Sequence, residues 1–327
     1  MVKHAVTKET SRKLYRQLYL IRTAENAIRA HYGENEMKMP MHMSIGAEAI
    51  AAGVCHALGE RGQVFCTYRS HATYLAKTEE TDDYFAELYG KVSGIARGKA
   101  GSMHLSSPEH GFLGASAIVA STIPVAVGVA LACKRKKTKN MAAVFFGDGA
   151  IDEGVFWESW NIACLMKLPI LFICEDNRLA VHTSGEERHG YRSIVNVLKQ
   201  FTGNVFESRT TDVEEISAIT KKAMRGYAEQ EKPAFLRLHY YRYLEHVGVN
   251  EDFDQGYRSQ KEFIQWQKRD PVLLQRKRLL GLGITEDAIK KEEGVTDKQI
   301  AESIERAKKA KFPDQKELFT NVFYEAR

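Results

Sequence analysis

Two short, unbroken apolar runs, residues 141–146 (Met-Ala-Ala-Val-Phe-Phe) and 169–174 (Pro-Ile-Leu-Phe-Ile-Cys), constrain the fold more than anything else in the chain. Runs of this length match strands buried on both faces. The stretch between them, 153–166, carries Phe156, Trp160 and Ala163 on one helical face. Strand, helix, strand is the crossover that joins parallel neighbours. A further strand over 234–239, preceded by a helix over 212–230, continues the alternation. The fold class that follows is α/β, a doubly wound parallel sheet. Leu14, Leu18, Ile21, Ala24 and Ile28 recur at steps of three and four, so residues 7–31 form an opening amphipathic helix. Small, helix-favouring residues run over 46–58, and Thr81 with Asp82 and Asp83 marks the start of a helix over 81–89. Beyond residue 252 the composition turns helical and charged, over 257–282 and again over 296–309. Two units are expected: an α/β domain over 1–255 and a helical C-terminal extension over 256–327.

Open parallel sheets bind ligands beyond the carboxyl ends of their strands, which directs attention to the turns after Phe146 and Cys174. The first reads Gly147, Asp148, Gly149, Ala150; Asp152 stands where a dinucleotide fingerprint has its third glycine, and no Gly-Lys-Ser/Thr follows. A carboxylate in a glycine turn repels a bare phosphate, so Asp148 suits a phosphate site only with a cation between them. Mg²⁺ is such a cation, taking one or two protein oxygens and the rest from phosphates and water. The second turn, Glu175, Asp176, Asn177, Arg178, offers an amide oxygen and backbone carbonyls. The glycines let the backbone approach phosphates, and the helix N-terminus that follows attracts negative charge.

A Gly-Asp-Gly turn followed about thirty residues later by Asn resembles the thiamine-diphosphate motif. The stretch 146–184 is similar to the alpha subunits of pyruvate, branched-chain and acetoin dehydrogenases. The resemblance implies a sheet of the thiamine-diphosphate-binding type, with Mg²⁺ held by Asp148, Asn177 and the carbonyl of Leu179, and with Gly147, Gly149 and Ala150 against the cofactor. It runs from about Leu14 to Phe323. Tyr68, Arg69, Ser70 and His71 resemble a segment whose Tyr and Arg bind the diphosphate; a planar guanidinium suits that task because it donates two parallel hydrogen bonds. Tyr241, Arg242, Tyr243 and His246 resemble a second such segment, with Arg242 on the diphosphate and His246 as a group that donates or shuttles a proton near neutral pH. His42 matches a histidine on the substrate side. Residues 97–104 resemble a glycine-rich loop ending in His104, which takes a possible catalytic part, and Val119 matches the apolar residue that props the cofactor in its bent form. The chain departs from the pattern at Ala47, Ala100, Asp176, His182, Leu244 and Glu245.

The implied activity is oxidative decarboxylation of a 2-oxo acid, pyruvate by default, with acyl transfer to a lipoyl group. The glutamate that activates the cofactor would come from a beta-type partner in an α2β2 assembly, and a lipoyl acyltransferase is a further implied partner. The alternatives are a split transketolase-like or carbon-carbon-joining enzyme, and a cofactor-binding regulatory subunit without catalysis. A net charge of +5, with Lys134, Arg135, Lys136 and Lys137 read as a solvated helix end, gives no ground for nucleic-acid binding. Five cysteines without CxxC spacing fit a reducing cytoplasm. No apolar run approaches the roughly 18 residues of a membrane span, and residues 1–12 are polar rather than signal-like.

Overall fold

The apolar runs become neighbouring central strands, and their alternate residues feed two different cores. The structure, a computed structural model, describes residues 6–320 and 322. Phe323, where the family resemblance ends, and the first five residues of the polar N-terminal stretch lie outside the described residues. In chain order the elements are α1 (Lys8–His31), α2 (Glu48–Leu58), β1 (Gly62–Thr67), α3 (His71–Thr78), α4 (Asp82–Leu88), β2 (Phe112–Ser116), α5 (Thr122–Arg135), β3 (Met141–Gly147), α6 (Gly154–Leu165) and β4 (Ile170–Asp176). There follow β5 (Leu179–Ala180), β6 (Thr183–Ser184), α7 (Gly185–Arg188), α8 (Ile194–Leu198), β7 (Asn204–Ser208), α9 (Val213–Gln230), β8 (Ala234–His239), α10 (Gln260–Gln267), α11 (Pro271–Gly281) and α12 (Glu286–Lys309).

Six strands form one sheet in the order β2, β1, β3, β4, β8, β7, and every neighbouring pair is parallel. Side chains alternate across a strand. Ala143, Phe145, Leu171 and Ile173 therefore pack with α1, α2, α3, α4 and α9 on one face, while Ala142, Val144, Phe146, Ile170 and Phe172 pack with α5, α6 and α8 on the other. Phe156, Trp160 and Ala163 of α6 are fully buried in the second cluster, as their spacing predicted. Val272 and Leu279 of α11 and Ile289, Ile300 and Ile304 of α12 belong to the same cluster as α1.

The C-terminal helices differ from their expected bounds. The run over 257–282 breaks at Asp270, whose carboxylate accepts from Val272 N (3.0 Å) and Leu273 N (3.2 Å), with Pro271 in the first turn of α11. Likewise α12 starts at Glu286 rather than near 296, because Thr285 caps it by accepting from Ala288 N. Strands β1, β2 and β7 were not anticipated; β2 (Phe-Leu-Gly-Ala-Ser) and β7 (Asn-Val-Phe-Glu-Ser) lie at the sheet edges and lack long apolar runs. Among the described residues no helix is long and apolar enough to cross a membrane.

Candidate cofactor and active site

Strands β3 and β4 end side by side, Gly147 opposite Glu175. A single 3-10 stretch, Asp148–Asp152, then leads into α6. Asp148 is only 4% exposed. Its Oδ2 accepts from the Arg188 guanidinium, which also reaches Asp152, whereas its Oδ1 is buried without a partner. Burial first, and neighbouring Asp176 second, push its pKa up, and Arg188 opposes them. Across the cleft, Asn177 Oδ1 accepts from Leu179 N (2.9 Å) and its Nδ2 donates to Tyr240 Oη (2.9 Å). Leu179 lies in a turn with Arg178 at φ 69° and Val181 at φ 56°. Left-handed backbone at a β-branched residue costs roughly 1–3 kcal/mol and persists where the surroundings over-determine it. Gly149 is sterically required: a Cβ there would meet the Ala180 Cβ at 2.9 Å. Gly147 has no such neighbour.

A cavity of about 240 Å³ opens beyond these turns, and Tyr68, Arg69, Val119, Gly147, Gly149, Ala150, Asn177, Leu179 and His246 all line it. Val119 is 42% exposed, as a residue facing an open cleft must be. Asp148 lies outside this lining and faces an adjoining pocket that shares Asn177 and Leu179 with it; its unpartnered Oδ1 is available for a cation between the two, and basic Arg69 lies on the cavity wall. The residues therefore fit a metal-bridged diphosphate.

The arginines are already anchored. Arg69 donates from Nη1 to Met43 O (2.6 Å) and from Nη2 to His246 O (3.0 Å). Arg242, 1% exposed, donates from Nε to Leu244 O (3.0 Å), from Nη1 to Val181 O (3.2 Å) and from Nη2 to Tyr257 Oη (2.6 Å). Arg242 does not line the cavity; it stands behind His246, with Nη1 3.3 Å from Nδ1. His42 packs on Tyr68 with ring centroids 4.5 Å apart and meets His246 edge-on at 5.4 Å. Burial, then the positive charge of Arg69, pushes both imidazoles down to about 3. Both effects disfavour the charged imidazole at His42 and His246 in the unloaded chain. His104 is exposed and lies away from the cavity lining, so the structure does not join it to the other two histidines.

Several departures from the family pattern prove to be locally absorbed. Asp176 is paired with Arg237 Nε (2.5 Å) and accepts from Arg178 N (2.7 Å) at the carboxyl end of β4. Ala100 has φ −82°, a conformation that needs no glycine, and its N–H is one of four donated to the buried Glu87 carboxylate, with those of Ala96, Gly98 and Gly101. Leu244 is buried, Glu245 accepts from Asn250 N (2.9 Å), and the His182 ring lies on Tyr257 at 4.4 Å. Sequence reasoning missed Glu175, an enclosed acid lining the cavity whose pKa burial raises to about 8 against the pull of Arg69. It also missed Arg188 and two charged residues of α1, Arg22 and Glu25. The signal for Glu25 was present: a carboxylate on the face that carries Leu18, Ile21 and Ile28.

A family model described as Dehydrogenase E1 component matches residues 16–316. The chain is 30% identical over 322 residues to the pyruvate dehydrogenase E1 component subunit alpha of Rickettsia conorii, covering 98% of each. It is 32% identical over 317 residues to that of Zymomonas mobilis, covering 96% of this chain and 89% of the relative. To the mitochondrial subunit alpha-1 of Oryza sativa it is 31% identical over 313 residues, covering 94% of this chain and 78% of the relative.

Proposed function

The chain belongs to the dehydrogenase E1 component family, and from that premise we propose that Asp148, Asn177 and the Leu179 carbonyl hold Mg²⁺ and that pyruvate is the 2-oxo acid consumed. It is the alpha subunit of a thiamine-diphosphate-dependent 2-oxo acid dehydrogenase, and it acts with a beta subunit. One observation supports the metal assignment above the others: a buried carboxylate oxygen, Asp148 Oδ1, left without a partner at the mouth of a glycine turn. Its other oxygen already accepts from Arg188, so a cation would complete what the carboxylate leaves open.

When bound, the cofactor supplies the carbon nucleophile and the electron sink for loss of carbon dioxide. The chain's own residues do the rest. Arg69 and Tyr68 offer donors to the diphosphate from one wall, and Gly147, Gly149 and Ala150 allow close approach from the other. Val119 presents an apolar surface to the cofactor's bend. His42 and His246, uncharged, supply hydrogen bonds that orient the 2-oxo acid, His246 held in place by Arg69 and Arg242. His104 takes a part only once the partner subunit brings another surface near it. An α2β2 assembly completes the site, with the activating glutamate on the beta chain and a lipoyl acyltransferase receiving the acyl group. The five buried, free cysteines support the cytoplasm as its compartment.

The experiment is an assay of the chain alone, then with its beta-type partner, using thiamine diphosphate, Mg²⁺, a panel of 2-oxo acids and an artificial oxidant. The expected result is silence from the single chain and pyruvate turnover from the pair. Sustained decarboxylation by the single chain would show that the activating acid lies within these 327 residues.

A further inference from the structure

Helix α1 buries a carboxylate, Glu25, that is 0% exposed and, among the described residues, has no arginine or lysine paired with it. Burying a carboxylate is costly unless its oxygens are satisfied by well-placed donors. Glu25 has two: Ser44 N donates to Oε2 (2.5 Å), and His71 Nδ1, also fully buried, donates to Oε1 (2.7 Å). These donors sit in two segments far apart in sequence. Ser44 follows His42 and Met43, whose carbonyl anchors Arg69; His71 follows Tyr68 and Arg69 themselves. The same carboxylate is thus the joint between the loop bearing His42 and the loop bearing the diphosphate arginine.

One turn earlier on α1, Arg22 Nε donates to Glu48 Oε1 (2.5 Å), and Glu48 Oε2 accepts from Gly46 N (2.8 Å). The helix therefore holds the 44–46 turn at both ends, through Glu25 at Ser44 and through Arg22 and Glu48 at Gly46. The turn has no room to relax outward: Gly46 has φ +103°, and a Cβ there would lie 2.0 Å from Tyr241 O, in the segment that carries Arg242 and His246.

We propose that Glu25 is a positioning residue for the cofactor site: acting through His71 and Ser44, it sets the placement of Arg69 relative to His42 from a helix that does not itself touch the cavity. This inference rests on the functional reading above. Hydrogen bonds to a carboxylate fix two loops more tightly than bonds between neutral groups do, because they are shorter and stronger.

The test measures thiamine diphosphate affinity, in the presence of Mg²⁺, for the α chain assembled with its beta-type partner. The parent is compared with Glu25→Gln, which keeps the side chain's size but removes its charge, and with Arg69→Ala as the site control. Titrations are run well below the melting temperature of each folded protein. The expected result is a Kd raised about tenfold or more in Glu25→Gln, approaching that of Arg69→Ala, with a smaller cofactor-induced rise in Tm. If Glu25→Gln does not fold, Glu25→Asp, which keeps the charge but shortens the reach by one methylene, carries the same expectation. A variant with a lowered Tm but a Kd within about twofold of the parent would show a structural role only and overturn the inference. A parent that binds no better than Arg69→Ala would instead overturn the functional reading, and this inference with it.

Discussion

The two walls of the cavity are built in different ways. On the wall proposed to hold the metal, the groups sit in the turns that end their strands, so position along the chain and position in space coincide: Asn177 follows β4, and Asp148, which faces the adjoining pocket, follows β3. The histidine wall has no such frame. Arg69 and His246, and His42 packed on Tyr68 just behind the lining, come from three separate loops, and what joins them is a set of side-chain bonds across long sequence separations, Arg69 to Met43 O, Arg69 to His246 O and Glu25 to His71. A wall made by the sheet is held by the hydrophobic core. A wall made by polar bonds is held by the bonds themselves, and its geometry is correspondingly sensitive to single charges.

The largest effect that separates the two walls is expected from Asp148→Ala. Arg188 keeps Asp152 as a partner, and the mutation removes a carboxylate whose burial beside Asp176 is unfavourable, so the unloaded fold should lose little stability. Cofactor affinity in Mg²⁺ should fall by on the order of a hundredfold or more, because the diphosphate charge loses its bridged counter-ion. Calorimetry checks the affinity and thermal melting the stability. A variant that binds normally would remove Asp148 from the metal site.

On the histidine wall, Arg69→Ala should weaken cofactor binding roughly tenfold to a hundredfold, while His246→Ala should leave Kd nearly unchanged and lower kcat. Steady-state kinetics of the assembled enzyme, with cofactor and 2-oxo acid varied separately, distinguishes the two. If His246→Ala shifted only the cofactor Kd, its assignment to the substrate side would be withdrawn.

The same contrast explains what was legible beforehand. The apolar runs of β3 and β4 and the turns after them could be read because burial on both faces and a strand-terminal glycine leave local marks in the sequence. Nine of the proposed site residues line one cavity accordingly. Arg242, read as a diphosphate ligand, lies one layer behind the cavity lining, because its resemblance to such a ligand says nothing about the three protein acceptors that hold it. Arg188 and Glu175 left no local mark, and the mark Glu25 left, a carboxylate on the apolar face of α1, does not tell what it pairs with. Each is a charged residue whose partner or enclosure is supplied by a distant segment, and periodicity counts such a residue simply as polar.

The acid and the imidazoles of the cavity should also oppose each other in pH dependence. His42 and His246 have folded pKa values near 3, below the ordinary 6.5, so the unfolded chain takes up more protons as pH falls from about 6.5 towards 3, and stability is lost over that window. Glu175 has the opposite sign. Its folded pKa near 8 exceeds the ordinary 4.5, so its neutral form stabilises the fold at low pH, and that contribution is lost as pH rises from 4.5 through 8. Above about pH 6.5 the imidazole slope has ended while the Glu175 slope continues. Glu175→Gln, neutral at every pH, should therefore gain on the parent by roughly 1–2 kcal/mol between pH 6.5 and 8. Melting curves of the unloaded chain across that range check it, and parallel pH dependences would show that Glu175 is ionised in the fold.

The smallest effect is expected where the chain departs from its family at Ala100. A glycine in a loop rich in glycines is readily taken for a conformational requirement, yet Ala100 has φ −82°, which any L residue adopts without strain. What the loop needs at this position is a backbone N–H, and Ala100 N donates it to Glu87 Oε1 at 2.7 Å. The left-handed positions of the loop are Arg97, Gly98 and Gly101, at φ 60°, 79° and 60°, and Ala100 is not among them. Ala100→Gly, the substitution towards the family pattern, should therefore leave cofactor Kd and turnover unchanged. Stability should fall by about 0.5–1 kcal/mol, since glycine has more backbone freedom to lose on folding. A measurable gain in cofactor affinity would mean that the alanine Cβ restricts the loop when the site is loaded, and that this loop belongs to the polar-bonded wall rather than to its scaffold.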